Sequence, residues 1–420
     1  MLRASTAFWA LAVCTALVSG CAPSQRSSAK QLVAQMAYVA SDDHIYVTEA
    51  DGTNRKQVTG QVSGLSSTTG WTYRWPTYSP DGQRLAFAAS RPDSSQLGAS
   101  ALLVSDVEQP KPTALLEASN MAAIYLYWSP DSRYVTALLQ FGPQLKLYLF
   151  DPSGASSARE LLVGQPLYWS WAPDGKTIAV HVGGDVESNP TAWVGLLHLG
   201  TDDVQTERFP DAPAYFQAPA WSPSGAQLAF ATLGGGTTLI SVRDAAGHVT
   251  NVASGASNVA FSWAPSGDWL AYAYGDPTVP GFYTGLQVVR PDGTDRHALS
   301  QDPLAAFYWS PDSAQLAVVG FDSGARALTW TVDSVDGKTK RPLGTFLPST
   351  DFGFALPFFD QFGQSTSVWS SDGKRLVYGA RAPNQTEQVM VVGVDGANPG
   401  AKVADGDAAV WSPPVTVESR

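Results

Sequence analysis

One short unit recurs through this chain, and its spacing restricts the fold more than any other feature. It reads Tyr78-Ser79-Pro80-Asp81-Gly82, Trp128-Ser129-Pro130-Asp131-Ser132, Trp171-Ala172-Pro173-Asp174-Gly175 and Trp221-Ser222-Pro223-Ser224-Gly225. It continues as Trp263-Ala264-Pro265-Ser266-Gly267, Trp309-Ser310-Pro311-Asp312-Ser313 and Trp369-Ser370-Ser371-Asp372-Gly373, with a partial copy at Trp411-Ser412-Pro413. Successive aromatics lie 50, 43, 50, 42, 46, 60 and 42 residues apart. Such periods suit four-stranded propeller blades. Seven residues after each complete copy's aromatic stands an apolar residue: Leu85, Val135, Ile178, Leu228, Leu270, Leu316 and Leu376. Each opens a short apolar strand, as expected when a tight turn feeds an antiparallel partner.

The motif has a physical reading. Its aromatic ends the innermost strand of a blade and packs between neighbours, burying roughly 150–250 Å². Proline presets a turn where a missing N–H is harmless, Asp or Ser accepts backbone hydrogen bonds, and Gly takes positive φ.

The ends of the repeat complete one another. Nothing after Trp411 resembles the second strand of a blade. Conversely, Met36–Tyr38, His44–Thr48 and Arg55–Thr59 look like second to fourth strands with no motif before them. Ala409–Ser412 is therefore expected to supply their innermost strand. That gives an all-β, eight-bladed β-propeller over residues 34–413, closed by pairing of N- and C-terminal strands, with a C-terminal tail at 414–420. Closure removes free sheet edges.

These repeats resemble the WD-type β-propeller repeats of TolB-like proteins, and the resemblance covers residues 34–413. It implies the fold and says little about activity. TolB itself carries a separate N-terminal domain for which this chain leaves no room, so TolB's partners are not carried over. Peptidases of the dipeptidyl peptidase type also use eight blades, but their hydrolase domain has no counterpart here.

Residues 1–20 read as a lipoprotein signal peptide: Arg3, then an apolar run from Ala7 to Val18, too short to span a bilayer. Leu17-Val18-Ser19-Gly20-Cys21 resembles a bacterial lipobox, in which the cysteine is acylated, although Val18 stands where the pattern prefers Leu. Cys21 is thus the expected lipidation site, and residues 21–33 a polar, flexible tether. The other cysteine, Cys14, leaves with the signal, so the mature chain has no pair for a disulfide. The protein is expected to be exported and held on a bacterial membrane, at a periplasmic or extracellular face. Its net charge of −11 argues against nucleic acid as a partner.

Recognisable catalytic chemistry is missing. There is no Gly-x-Ser-x-Gly elbow, Walker loop, His-Glu-x-x-His helix or Cys-x-x-Cys pair. No cofactor and no metal are expected. His181 and His198 fall in one blade but lack further ligands. Asp42-Asp43, Asp202-Asp203 and Asp405-Gly406-Asp407 read as solvated turns.

What remains is loop chemistry. Residues 60–76 carry Trp71, Tyr73, Arg74 and Trp75; residues 344–364 carry Phe346, Phe352, Phe354, Phe358, Phe359 and Phe362. Shorter connections add Tyr125, Tyr215, Phe216, Phe282 and Tyr283. The expected ligand- or partner-binding set is Trp71, Tyr73, Arg74, Trp75, Tyr125, Tyr215, Phe216, Phe352, Phe354 and Phe358, on one face around the channel. For residues 344–364, a self-buried plug over the channel is an equal expectation. The leading function is a non-catalytic binding or scaffold lipoprotein of the cell envelope, holding an envelope protein or extracellular ligand. The alternatives are an enzyme acting on envelope polysaccharide or peptide in the channel, with Asp185 and Glu187 as weak acid–base candidates, and a structural subunit of a membrane complex.

Overall fold

The structure, a computed structural model, describes residues 34–414 apart from 68, 202, 215, 216, 257 and 398. The signal peptide, Cys21 and the tether lie outside the described residues, as do Tyr215, Phe216 and most of the tail.

Among the described residues thirty strands follow one another. The first three are β1 (Gln35–Ala40), β2 (Ile45–Glu49) and β3 (Lys56–Gln57). Four sheets of four antiparallel strands come next, each in chain order. They are β4 (Thr72–Tyr78), β5 (Arg84–Arg91), β6 (Ala99–Asp106) and β7 (Thr113–Ser119); then β8 (Met121–Trp128), β9 (Val135–Phe141), β10 (Gln144–Phe150) and β11 (Arg159–Val163). The third is β12 (Leu167–Trp171), β13 (Thr177–Val182), β14 (Trp193–Leu199) and β15 (Val204–Arg208); the fourth is β16 (Ala220–Trp221), β17 (Gln227–Gly234), β18 (Thr237–Asp244) and β19 (Val249–Gly255).

The same order continues through β20 (Val259–Trp263), β21 (Leu270–Gly275), β22 (Tyr283–Val289) and β23 (His297–Ser300), then β24 (Leu304–Trp309), β25 (Gln315–Asp322), β26 (Ala327–Ser334) and β27 (Lys340–Pro348). Single or short pairings at Tyr283↔Leu304 and at Leu347↔Arg381 join these groups to their successors. The last strands are β28 (Arg375–Arg381), β29 (Glu387–Gly393) and β30 (Ala401–Trp411). The long β30 serves two partners. Its first half pairs with β29 and its second half with β1, placing Met36 opposite Trp411 and Val39 opposite Asp407.

The fold is a β-propeller. First strands of neighbouring sheets touch one another, β4 with β8, β12 with β16, β16 with β20 and β20 with β24, so they stand innermost.

The motif accounts for the joints between sheets. Four of the motif indole N–H groups reach back to a carbonyl in the preceding sheet's first strand: Trp128 to Thr77 at 3.1 Å, Trp263 to Ala220 at 2.9 Å, Trp309 to Ser262 at 3.1 Å and Trp369 to Tyr308 at 3.0 Å. Trp171 uses the Thr136 hydroxyl instead, at 3.0 Å. Within the turn, the motif serine accepts from the backbone N–H five residues on and donates to the Asp two residues on, as in Ser79, Ser129, Ser310 and Ser370.

Glycine at the fifth position takes φ near +70°, as at Gly82 and Gly225. Two copies replace it by serine, Ser132 (φ 59°) and Ser313 (φ 63°). Their hydroxyls accept from the backbone N–H groups of Asp81 and Ser266 in the preceding turn, at 3.1 and 2.9 Å. A bond between sheets thus offsets the cost of a left-handed non-glycine residue, about 1 kcal/mol.

Candidate functional site

The connection from β27 to Trp369 is the main departure from the repeat. It forms a helical segment: α1 (Thr350–Ala355), a 3-10 turn (Leu356–Phe358) and α2 (Phe359–Phe362). Pro357 lacks the N–H and crowds the preceding turn, which explains why the helix breaks into short pieces.

This segment runs among the first strands and bonds to them in turn. Gln361 is buried, and its side-chain amide pairs with one peptide unit of β12. Its Oε1 accepts from the Trp169 N–H at 3.0 Å and its Nε2 donates to the Trp169 carbonyl at 2.9 Å. The Tyr125 hydroxyl donates to the Gln361 carbonyl at 2.7 Å. Asp360 Oδ2 accepts from the Ala218 N–H at 3.1 Å. Phe359, 1% exposed, packs its ring against Phe307, Tyr283 and Tyr308. Further along, the Ser365 carbonyl accepts from the Thr77 hydroxyl, and the Ser367 carbonyl from the Trp411 N–H. The segment is a plug in the axial space.

Its entry is latched by buried carboxylates. Asp407, on β30, accepts from the Asp351 N–H at 2.8 Å and from the Ser349 hydroxyl, capping α1 from another strand. Gly379 makes this possible, because a Cβ there would collide with Ser349 Oγ and Asp407 Oδ1. Asp407 therefore does not sit in a solvated turn as the sequence suggested. It is 6% exposed within β30, and burial raises its pKa. The Asp351 carboxyl is pushed up to about 6, first by burial and then by the Asp407 charge, with Arg74 opposing from 3.6 Å.

Two backbone irregularities face this latch. Trp75 (φ 57°) and Ala408 (φ 48°) lie at register shifts of the β4–β5 and β1–β30 ladders. Both line a cavity of about 70 Å³ together with Asp351 and Phe352. It has space for a few waters and none for a sugar or peptide. The bulge at Trp75 re-aims its ring onto the plug, 5.5 Å from both Phe354 and Phe362.

Beside the plug, at the start of β8 and β12, opens an apolar groove of about 430 Å³. Ile124, Tyr125, Leu138 and Leu145 form one wall, Leu167 and Trp169 another, and Phe354, Phe358 and Phe362 the plug side. Phe354 is 47% exposed, which is unusual for a ring in this body.

The structure brings together Trp75, Tyr125, Phe354 and Phe358 from the expected set, while Arg74 pairs with Asp351 at the entry of the plug. Tyr125 is buried, with its ring edge against Trp169 and Phe362. The remaining described members do not line the groove. Trp71 is buried under Arg91, and Tyr73 is buried between His44 and Phe87. Phe352 packs into a separate cluster with Trp330, Phe346 and Tyr378. These three stabilise the body and present little surface. The strand residues Leu138, Leu145 and Trp169 were not singled out from sequence, because they alternate like any blade residue.

Other acidic and histidine candidates are committed locally. Asp185 accepts from the Ser188 N–H and hydroxyl. His181 is buried with its ring nitrogens against the Gln217 and Gly184 carbonyls, and burial lowers its pKa. His198 faces Glu207 on the far side of β14. The two histidines do not share a site.

No family model matches the chain, and no curated protein matches it in sequence. Solved structures do resemble it. A dihydro-heme d1 dehydrogenase, NirN, is 14% identical over 91% of this chain and 75% of its own, with a TM-score of 0.58. A prolyl endopeptidase is 14% identical over 83% of this chain and 51% of its own, with a TM-score of 0.55. TolB from Acinetobacter baumannii is 16% identical over 79% of this chain and 83% of its own, with a TM-score of 0.40. At such identities the likeness extends to fold alone.

Proposed function

We propose that this chain is an exported, eight-bladed propeller lipoprotein of the cell envelope, anchored through Cys21, that binds a partner protein without transforming it. The groove carries this reading: about 430 Å³ of aromatic and aliphatic wall, with Phe354 exposed at its edge. Pockets of that size and character accept an apolar segment of a partner, with rings as anchors. Pairing of β30 with β1 supports closure of the ring, and hence a rigid platform for the groove. Binding is favoured over the polysaccharide-acting alternative because the plug fills the axial space and Asp185 is held by Ser188.

The test is capture from envelope fractions with the anchored protein and with Phe354→Asp and Phe358→Asp variants. The variants are expected to fold as the parent does and to lose the captured protein, because a carboxylate placed in an apolar contact weakens binding by about tenfold or more. Retention of the same partners by both folded variants would refute the groove as the binding site. Recovery of the protein only inside a stoichiometric membrane assembly would favour the structural-subunit reading.

A further inference from the structure

On the other side of the plug, toward the motif turns, lies a cavity of about 490 Å³. Its walls are the motif residues themselves. Trp171, Trp221, Trp263, Trp309 and Trp369 contribute aromatic surface, and Pro130, Pro173, Pro223 and Pro265 line the turns below them. The plug supplies the inner end with Phe359, Asp360 and Gln364. Asp360 is the one acidic or basic side chain among the described residues that line it.

Several of the other polar groups there already have partners. Gln364 Nε2 donates to the Pro219 and Asp360 carbonyls. The Thr366 and Ser367 hydroxyls donate to the Phe362 and Trp369 carbonyls, and the Ser222 hydroxyl accepts from the Gln227 N–H. The charged group in this lining is a carboxylate, and it is set among tryptophan rings. The two N–H groups from Ala218 and Gln361 leave the carboxylate with unused acceptor capacity. A cation in a tryptophan-walled site gains from the negative faces of the rings, and gains again from a carboxylate held away from water.

We propose that this cavity binds a small organic ammonium ion, with Asp360 as its counter-ion and the motif tryptophans as its walls. The site is separate from the partner groove and does not depend on it. The environment of Asp360 also sets a pH dependence. Burial pushes its carboxyl up to about 6, against the pull of the Ala218 and Gln361 N–H groups. The titratable groups that feel its charge are Tyr125 on β8, Tyr283 on β22 and Tyr308 on β24. All three phenols are raised, chiefly by burial, and stay neutral at physiological pH. A bound cation favours the ionised carboxylate, so affinity is full above about pH 6 and falls as Asp360 takes up its proton below that.

The experiment titrates the purified protein with choline and with its uncharged carbon isostere, 3,3-dimethylbutan-1-ol, followed by calorimetry and tryptophan fluorescence at pH 7.5 and pH 5. Choline is expected to bind about tenfold or more tightly than the isostere at pH 7.5, and to lose that advantage at pH 5. Asp360→Asn is expected to abolish the preference at both pH values while capture of the groove partner persists. If this variant fails to fold, the isostere comparison and its pH dependence in the unaltered protein still decide. Equal binding of the two probes, preference for glucose over choline, a pH-independent preference, or no binding of choline at millimolar concentration would each overturn the proposal.

Discussion

Replacement of Gln361 by leucine tests the plug directly. The native amide satisfies both polar groups of the Trp169 peptide, deep in the body. Leucine is similar in volume but offers no hydrogen bond, so a buried N–H and a buried C=O lose their partner together. Each orphaned group costs about 1–3 kcal/mol. The added apolar burial of leucine offsets about 1 kcal/mol. The net expectation is a loss of about 1–5 kcal/mol, borne by the plug and by β12. Because sheets of this body need not unfold as one unit, the sharper assay is amide exchange at Trp169, read by mass spectrometry or NMR. Its protection is expected to fall by roughly 5- to 4,000-fold, the same free energy expressed as an opening constant. Urea denaturation followed by tryptophan emission should show the loss as a lowered midpoint. If Gln361→Leu leaves both Trp169 protection and the midpoint unchanged, the side-chain pairing does not hold the plug, and the rigidity of the groove wall must have another source.

Two further outcomes follow from described contacts. Trp128→Phe removes the bond to the Thr77 carbonyl and weakens stacking under Arg84, whereas Trp411 has no partner for its indole N–H. Trp128→Phe should therefore destabilise by about 1–3 kcal/mol and Trp411→Phe by less than about 1 kcal/mol, measured by chemical denaturation; the reverse order would contradict indole bonding as the joint between sheets. Stability should also rise as pH falls from about 7 toward about 4. Asp351 and Asp360 have folded pKa values raised to about 6, so their favourable contribution is full below the unfolded carboxylate value and is lost as pH rises through 6. Carboxylates held low by hydrogen bonds, such as Asp93, Asp151 and Asp276, act in the opposite sense and give up stability only on further acidification. A pH series of melting temperatures checks this, and Asp351→Asn with Asp360→Asn should flatten the rise between pH 4 and pH 7.

The repeated sheets were legible because the motif couples local and long-range chemistry at one place. Proline, serine and glycine set a turn that needs only neighbours in sequence, and the aromatic before them reports the joint to the next sheet. Where a copy departs from the pattern, as at Ser132 and Ser313, the reason is a bond to another turn, and no local rule reveals it. The same limit explains the plug. Gln361 and Asp360 look like ordinary helix residues, and their partners Trp169 and Ala218 lie far away along the chain. Length and aromatic content marked the connections at residues 60–76 and 344–364 as special. They did not separate rings that stabilise, such as Trp71 and Tyr73, from a ring left at a surface, such as Phe354. Asp407 was misread as solvated because its partners arrive from a different segment.

The divided allegiance of β30 also bears on how such a body is made. Synthesis proceeds from one end, and β1 to β3 emerge first, yet the strand that lies beside β1 emerges last. Until then an unpaired edge of β1 is exposed, and the most distant contact in the chain is the one still to form, a slow step by topology. A chain with this order completes its architecture only once β30 has arrived.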